Sequence, residues 1–207
     1  MSNNYYAQFG TDQIIKEYFP NKNNGKCIEV GAVDGIYCSN TLHFEELGWD
    51  VLCIEPIPSY FEKLKSNRKN SINFAVTSEN IDGIPFTEVT LIDNNKSAIS
   101  GLKVDDRLIK LHQDSGLNPT QKVINVNGRR LDWCIENFFN HETIDFISID
   151  TEGSELDVLK SFDVNRYDTK LLIIENNYND SEIEIYLNEK GWVKHKRIEV
   201  NDFYIKK

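Results

Sequence analysis

Residues 26–35, KCIEVGAVDG, and residues 48–56, GWDVLCIEP, constrain this chain more than any other stretch. Each is an apolar run with a hard stop. The first ends at a turn that carries Gly31 and Gly35, the second at an acid, Glu55, followed by Pro56. Two strands with a glycine turn between them open a nucleotide-type site in an α/β sheet. Glycines let the backbone approach a ligand, and a later carboxylate can hold two ribose hydroxyls.

The spacing within the turn separates cofactors. A dinucleotide site wants G-x-G-x-x-G, with pyrophosphate on a helix N-terminus. Here the pattern is Gly31-x-x-x-Gly35, with Val33 between the glycines and acids at Glu29 and Asp34. Those acids would repel a pyrophosphate. They would attract a sulfonium and an ammonium, and S-adenosylmethionine (SAM) carries both with no phosphate. The turn therefore reads as a SAM site rather than an NAD site.

The alternation continues along the chain. TDQIIKEYF (11–19) reads as an amphipathic helix and 39–47 as a helix ended by Gly48. Pro56 and Pro58 punctuate a turn before a helix at 60–67, and INFAV (72–76) is a third strand. The middle, 79–127, is less regular, with strands expected in PFTEVTLI and VINV and a polar stretch over 93–121. Regular order returns with a helix at 130–140, a strand at 144–150 and a helix at 153–162. The run KLLIIE (170–175) is nearly all apolar, as expected when both faces are covered. A helix at 180–190 and two terminal strands with a turn at 199–202 complete the reading. Alternating βα units followed by a hairpin predict an α/β fold with a mostly parallel seven-stranded sheet and a C-terminal antiparallel hairpin. One domain is expected over 1–207, with an insertion at about 85–128 that recognises substrate.

The segments YAQFGTDQII, EVGAVDGIYCSNTLHFEELGW, IEPIPSYFEKLKSNR and IDFISIDTEGSELDVLKSF, in that order, resemble the FkbM family of SAM-dependent methyltransferases. The SNT after the glycine turn, the IEP and the D-x-EG-x-E block are the specific parts. The resemblance implies the class I, Rossmann-like methyltransferase fold and O-methylation of a hydroxyl on a sugar, glycan precursor or other small metabolite. It fits least over 85–128, which leaves the acceptor open.

Roles follow from the two readings together. Gly31 and Gly35 are expected beside the methionine part of SAM, with Glu29 and Asp34 facing its ammonium. Ser39 and Asn40 would cap the next helix close to the cofactor. Glu55, backed by Pro56, should hold the ribose diol, with Ile57 or Pro58 on the adenine and the backbone of Ala75 and Val76 at its edge. For Glu29 and Glu55 the competing reading is a carboxylate that caps loop or helix N–H groups. Asp150, Glu152 and Gly153 end the fourth strand, where methyl transfer takes place. An alcohol nucleophile needs a proton acceptor, and Asp150 or Glu152 can be that base or can hold SAM or the acceptor. Glu175, Asn176 and Asn177 end the fifth strand, and Glu175 joins the catalytic set. Asp150 with Glu175 and Asn176 is also similar to the oxygen-rich Mg²⁺ site of catechol-type methyltransferases. The FkbM resemblance implies no metal, so no metal ligand is assigned and Mg²⁺ stays open.

The four histidines, His43, His112, His141 and His195, form no zinc spacing; His112 alone is placed to reach the acceptor. Arg129 and Arg130 read as paired surface charges. Tyr5, Tyr6 and Phe9 either pack the N-terminal helix onto the sheet or pair two chains, so a monomer or homodimer is expected. A net charge of −10 over 207 residues argues against nucleic acid as the main substrate and for a small-molecule or saccharide acceptor. No apolar run is long enough to span a membrane, the N-terminus lacks signal-peptide order, and Cys27, Cys38, Cys53 and Cys134 form no C-x-x-C pair, so a cytoplasmic protein with reduced thiols is expected. The competing functions are a nucleotide-dependent oxidoreductase on a Rossmann fold and a non-catalytic binding module.

Overall fold

The computed structural model describes residues 4–91, 99–104, 106–139 and 143–207. In chain order the first elements are α1 (Thr11–Tyr18), β1 (Lys26–Val30), α2 (Leu42–Glu46), β2 (Asp50–Ile54), α3 (Pro58–Asn67), β3 (Ser71–Ile72), β4 (Ala75–Val76) and β5 (Ile81–Thr90). They are followed by α4 (Asp106–Asp114), β6 (Thr120–Arg129), α5 (Leu131–Phe139), β7 (Phe146–Ile149), α6 (Glu155–Lys160), β8 (Leu171–Glu175), α7 (Ser181–Glu189), β9 (Trp192–Ile198) and β10 (Asn201–Lys206).

Seven strands form the main sheet in the order β3-β2-β1-β7-β8-β10-β9. All neighbouring pairs from β3 to β8 are parallel, and β10 runs antiparallel to both β8 and β9. The expected sheet and its antiparallel hairpin are thus present. The apolar runs of β1, β7 and β8 are buried because helices cover both faces. Side chains alternate between those faces. Ile28, Val30, Ile147, Ile149 and Leu172 meet Leu131, Ile135 and Leu159 from α5 and α6. Cys27, Phe146 and Ile173 face the other way, toward Ile15, Phe44 and Leu64 from α1, α2 and α3. Glu29 and Ser148 share the register of this second face, which places two polar groups at its upper end.

Three expectations need correction. The strand read at 72–76 is two strands. Ser71–Ile72 pairs with β2, while Ala75–Val76 leaves for a second, three-stranded sheet of order β4-β6-β5. Asn73 drives the break: its Nδ2 donates to the carbonyls of Glu55 and Pro56 at 2.8 and 2.9 Å, turning the chain. The helix read at 39–47 begins only at Leu42, because the side chain of Glu29 binds residues 39–41 as a loop. The polar middle contains α4 as well as β5 and β6, each of the latter ten residues long. His141 lies outside the described residues. Among those described, no helix is long and apolar enough to cross a membrane.

Candidate active site

The carboxyl ends of β1, β2, β7 and β8 meet at a cleft, where open α/β sheets place their ligands. Two cavities share a wall formed by Gly31, Val33, Asp150 and Glu152. The first extends past Glu55, Pro56 and Ile57 to Ala75 and Val76 and is mostly apolar. The second is more polar and passes Glu29, Asn40, Ser148, Glu175 and Asn177 to a mouth at Phe9, Tyr37 and His112.

The glycine turn is shaped by packing as well as by ligand access. Gly31 has φ +88°, and a Cβ there would stand 1.8 Å from the Asp150 carbonyl oxygen. Only glycine lets the β1 and β7 loops touch at this point. Gly35, at φ +80°, would drive a Cβ into the Arg68 side chain at 2.5 Å. Asp34 accepts hydrogen bonds from the backbone N–H of Ile36 and Tyr37, at 3.1 and 2.8 Å, and so folds the turn.

Glu29 lines the second cavity, yet its carboxylate is heavily engaged. It accepts from Asn40 N at 2.6 Å, Ser39 Oγ at 2.8 Å and Thr41 Oγ1 at 2.6 Å. Arg68, with no exposed side-chain surface, pairs with Glu29 at 3.3 Å and with Glu45 at 3.0 Å. The same guanidinium donates to the Gly35 carbonyl, Ser39 Oγ and Thr41 Oγ1. Sequence reasoning missed Arg68 although it closes the IEP…SNR segment. Ser39 sits inside this net and caps α2 through the N–H of Leu42. Asn40 reaches the second cavity and donates to Ser148 Oγ at 2.9 Å.

Glu55 is buried at the end of β2 and lines the first cavity. Its two oxygens accept from Val33 N at 2.9 Å and Ile57 N at 2.8 Å, so it ties the glycine turn to the start of α3. Burial pushes its pKa up to about 8 against those two bonds. Each oxygen keeps a second lone pair for a ligand hydroxyl.

Asp150, Glu152 and Glu175 each offer a carboxylate oxygen within 4.8 Å of the others. Burial and the neighbouring Glu175 hold Asp150 well above the usual carboxylate range. Burial and Asp150 do the same to Glu152. Burial and Glu152 push Glu175 to about 8. Asn177 Nδ2 donates to Glu175 at 3.0 Å and to Glu152 at 3.4 Å. Asn176 does not join them. It turns to the carbonyl of Asp180 and the carboxylate of Asp202, at 2.9 and 3.1 Å. The loop after β7 is strained, with Glu152 at φ +56° and Gly153 at φ +110°. Glu155 staples it by accepting from Thr151 N, Thr151 Oγ1 and Gly153 N. Sequence reasoning quoted Glu155 within its block and gave it no role. Gly153 borders neither cavity, and a Cβ there would stand 3.2 Å from the Lys103 carbonyl oxygen. Three close carboxylates are the residues that could hold a hard divalent cation.

Other expected residues separate clearly. His43 is buried, with Nδ1 2.8 Å from the Asn4 carbonyl and Tyr5 stacked on its ring. His195 is exposed and edges onto Tyr18. Arg129 pairs with Asp82 and Arg130 with Asp132, both at 2.7 Å. Tyr6 donates to Glu46, which seats the N-terminal segment on α2 and brings Phe9 to the second cavity.

A family model described as "Methyltransferase FkbM domain" matches residues 29–200. No curated protein matches the sequence. Among solved structures the chain is similar to TrmK of M. capricolum in complex with S-adenosyl-homocysteine, at 9% identity, 97% of this chain, 68% of that one and a TM-score of 0.46. It is also similar to a human methyltransferase 10 domain containing protein, at 11% identity, 99% and 83% coverage and a TM-score of 0.45. A fibrillarin/Nop5p complex matches at 13% identity, 97% and 81% coverage and a TM-score of 0.47. Likeness of this degree says nothing about substrate.

Proposed function

The chain belongs to the FkbM methyltransferase family and is a SAM-dependent methyltransferase, and we propose that it methylates a hydroxyl of a sugar, glycan precursor or other small metabolite. The observation that carries the reading is the convergence of three carboxylates at the junction of the two cavities, Asp150 and Glu152 on the shared wall and Glu175 beside them in the second cavity. The first cavity suits a nucleoside, being apolar along its length with the Glu55 carboxylate at one side. The second suits an acceptor. Among its described lining residues there is no lysine or arginine, which supports a neutral acceptor over a phosphodiester.

SAM supplies a methyl group already activated on a sulfonium. The residues of the chain hold, orient and take up a proton. Glu55 takes the ribose hydroxyls. Asp150, at the junction, orients both ligands. The hydroxyl proton passes to a carboxylate of the cluster, and Glu175, pushed up to about 8, suits a base working near neutral pH. Positioning contributes most to such a displacement. Gly31, Glu29 and Asn40 act by fixing the loop that faces the methionine end. The same three carboxylates would be the ligands if Mg²⁺ takes part. One domain covers the chain in this reading. Its insertion reaches the acceptor through Ile99 and, from α4, His112, which line the second cavity. Buried Cys27, Cys53 and Cys134, all free thiols, support a cytoplasmic setting.

The test is calorimetric titration with SAM and with NAD, with and without Mg²⁺, followed by methylation assays on hydroxyl acceptors. SAM binding without NAD binding is expected, and Asp150→Asn should lower turnover about a hundredfold or more while remaining folded. Full activity in that variant would remove Asp150 from the site.

A further inference from the structure

We propose that the accessory sheet is a roof over the adenosine end of the cofactor cleft, with Phe86 and Leu102 in contact with the cofactor. The proposal rests on the SAM reading above and assigns to the insertion a duty beyond acceptor recognition. The first cavity has the ends of β1 and β2 on one side. On the other it is closed by Phe86 from β5 and by Ser100 and Leu102 from the segment that follows.

These groups form one unit. Phe86 packs with Ile57, Ala75 and Val126 in a buried cluster, and Tyr60 and Leu102 lie against it. Thr87 and Gly101 exchange backbone hydrogen bonds of 3.0 and 3.1 Å, which fixes Ser100 and Leu102 beside Phe86. Gly101 also approaches the catalytic loop. A Cβ there would stand 3.4 Å from the carbonyl oxygens of Thr151 and Glu152. β4 belongs to the same hydrogen-bonded sheet and lines the same cavity, so roof and adenine edge are continuous.

An adenosine presents a flat face that Phe86 and Leu102 would cover.

The experiment is titration of SAM, S-adenosylhomocysteine and 5′-methylthioadenosine into the wild-type protein, Phe86→Ala and Phe86→Leu. It is paired with hydrogen exchange of the wild type with and without S-adenosylhomocysteine. Phe86→Ala should weaken all three ligands about tenfold, and Phe86→Leu less. Amides of β5 and β6 should exchange more slowly with ligand. Wild-type affinity in a folded Phe86→Ala, or ligand protection confined to the loops after β1 and β7, would overturn the roof. The exchange result decides alone if the alanine variant does not fold. A wild-type protein that binds none of the three ligands overturns the SAM reading itself, and the roof with it.

Discussion

Arg68→Met is the most informative perturbation of the site's foundation. The substitution keeps a long side chain and removes the cation that two buried carboxylates share. Glu29 and Glu45 lie 3.3 and 3.0 Å from it, and all three side chains are almost fully buried. The guanidinium also donates to Gly35 O, Ser39 Oγ and Thr41 Oγ1. Breaking a buried pair from one side costs about 3–5 kcal/mol, because the remaining charge is left without compensation. Two carboxylates lose their partner here, which favours the upper end. For a chain of this size 1 kcal/mol moves the melting temperature by about 2–4 °C. Arg68→Met should therefore melt roughly 6–20 °C lower and show a lower midpoint in urea. The double variant Arg68→Met/Glu45→Gln should recover part of the loss, since it removes one stranded charge. SAM affinity should fall as well, because the same residue holds the glycine turn by the Gly35 carbonyl. A loss under about 1 kcal/mol, with no recovery in the double variant, would mean that the pairs are no more than a surface salt bridge in effect, and the account of Glu29 would fall.

Glu55→Gln should retain the fold and lose SAM affinity by about tenfold or more, measured by calorimetry; unchanged affinity would reduce Glu55 to a loop tie. Gly31→Ala should cost about 2 kcal/mol or more in urea unfolding, since its Cβ would meet the Asp150 carbonyl at 1.8 Å; an unaffected midpoint would contradict the loop contact. Burial holds Glu55 and Glu175 at about 8 and Asp150 and Glu152 well above the usual range. Without ligand, the folded state then carries protons that the unfolded state has released, so stability should fall as pH rises from about 4.5 toward 8. The cations of SAM favour the ionised carboxylates, so binding should expel protons and tighten between pH 6 and pH 8. Binding enthalpies that do not vary with buffer ionisation enthalpy would refute this.

What the sequence disclosed follows from range. Strands such as KCIEV and LLIIE declare themselves because burial on both faces demands mostly apolar residues. The glycine turn and Glu55 were legible because strand ends at one sheet edge must converge. Arg68 was not, since one arginine at a helix end carries no local sign of two acids far away in the chain. Glu155 stood among several acids, and only the positive φ of Glu152 and Gly153 makes a staple necessary. Asn177 in place of Asn176 was within reach. Side chains alternate along a strand end, so Glu175 and Asn177 share a side. The accessory sheet was hidden because β5 and β6 are largely exposed and their polar residues blur the alternation.

The two-residue strand β4 has a bearing on how the protein acquires its site. Ala75 pairs with Gly128 and Val76 with Arg129, far along the chain, and not with the neighbouring β2. The wall of the first cavity at Ala75 and Val76 therefore cannot close when the first two βα units assemble. It waits for the whole insertion to be made and folded back, with the entropy of that long loop already spent. Binding competence is then a late event in folding, and a chain arrested before β6 would hold its glycine turn and Glu55 beside an unfinished pocket.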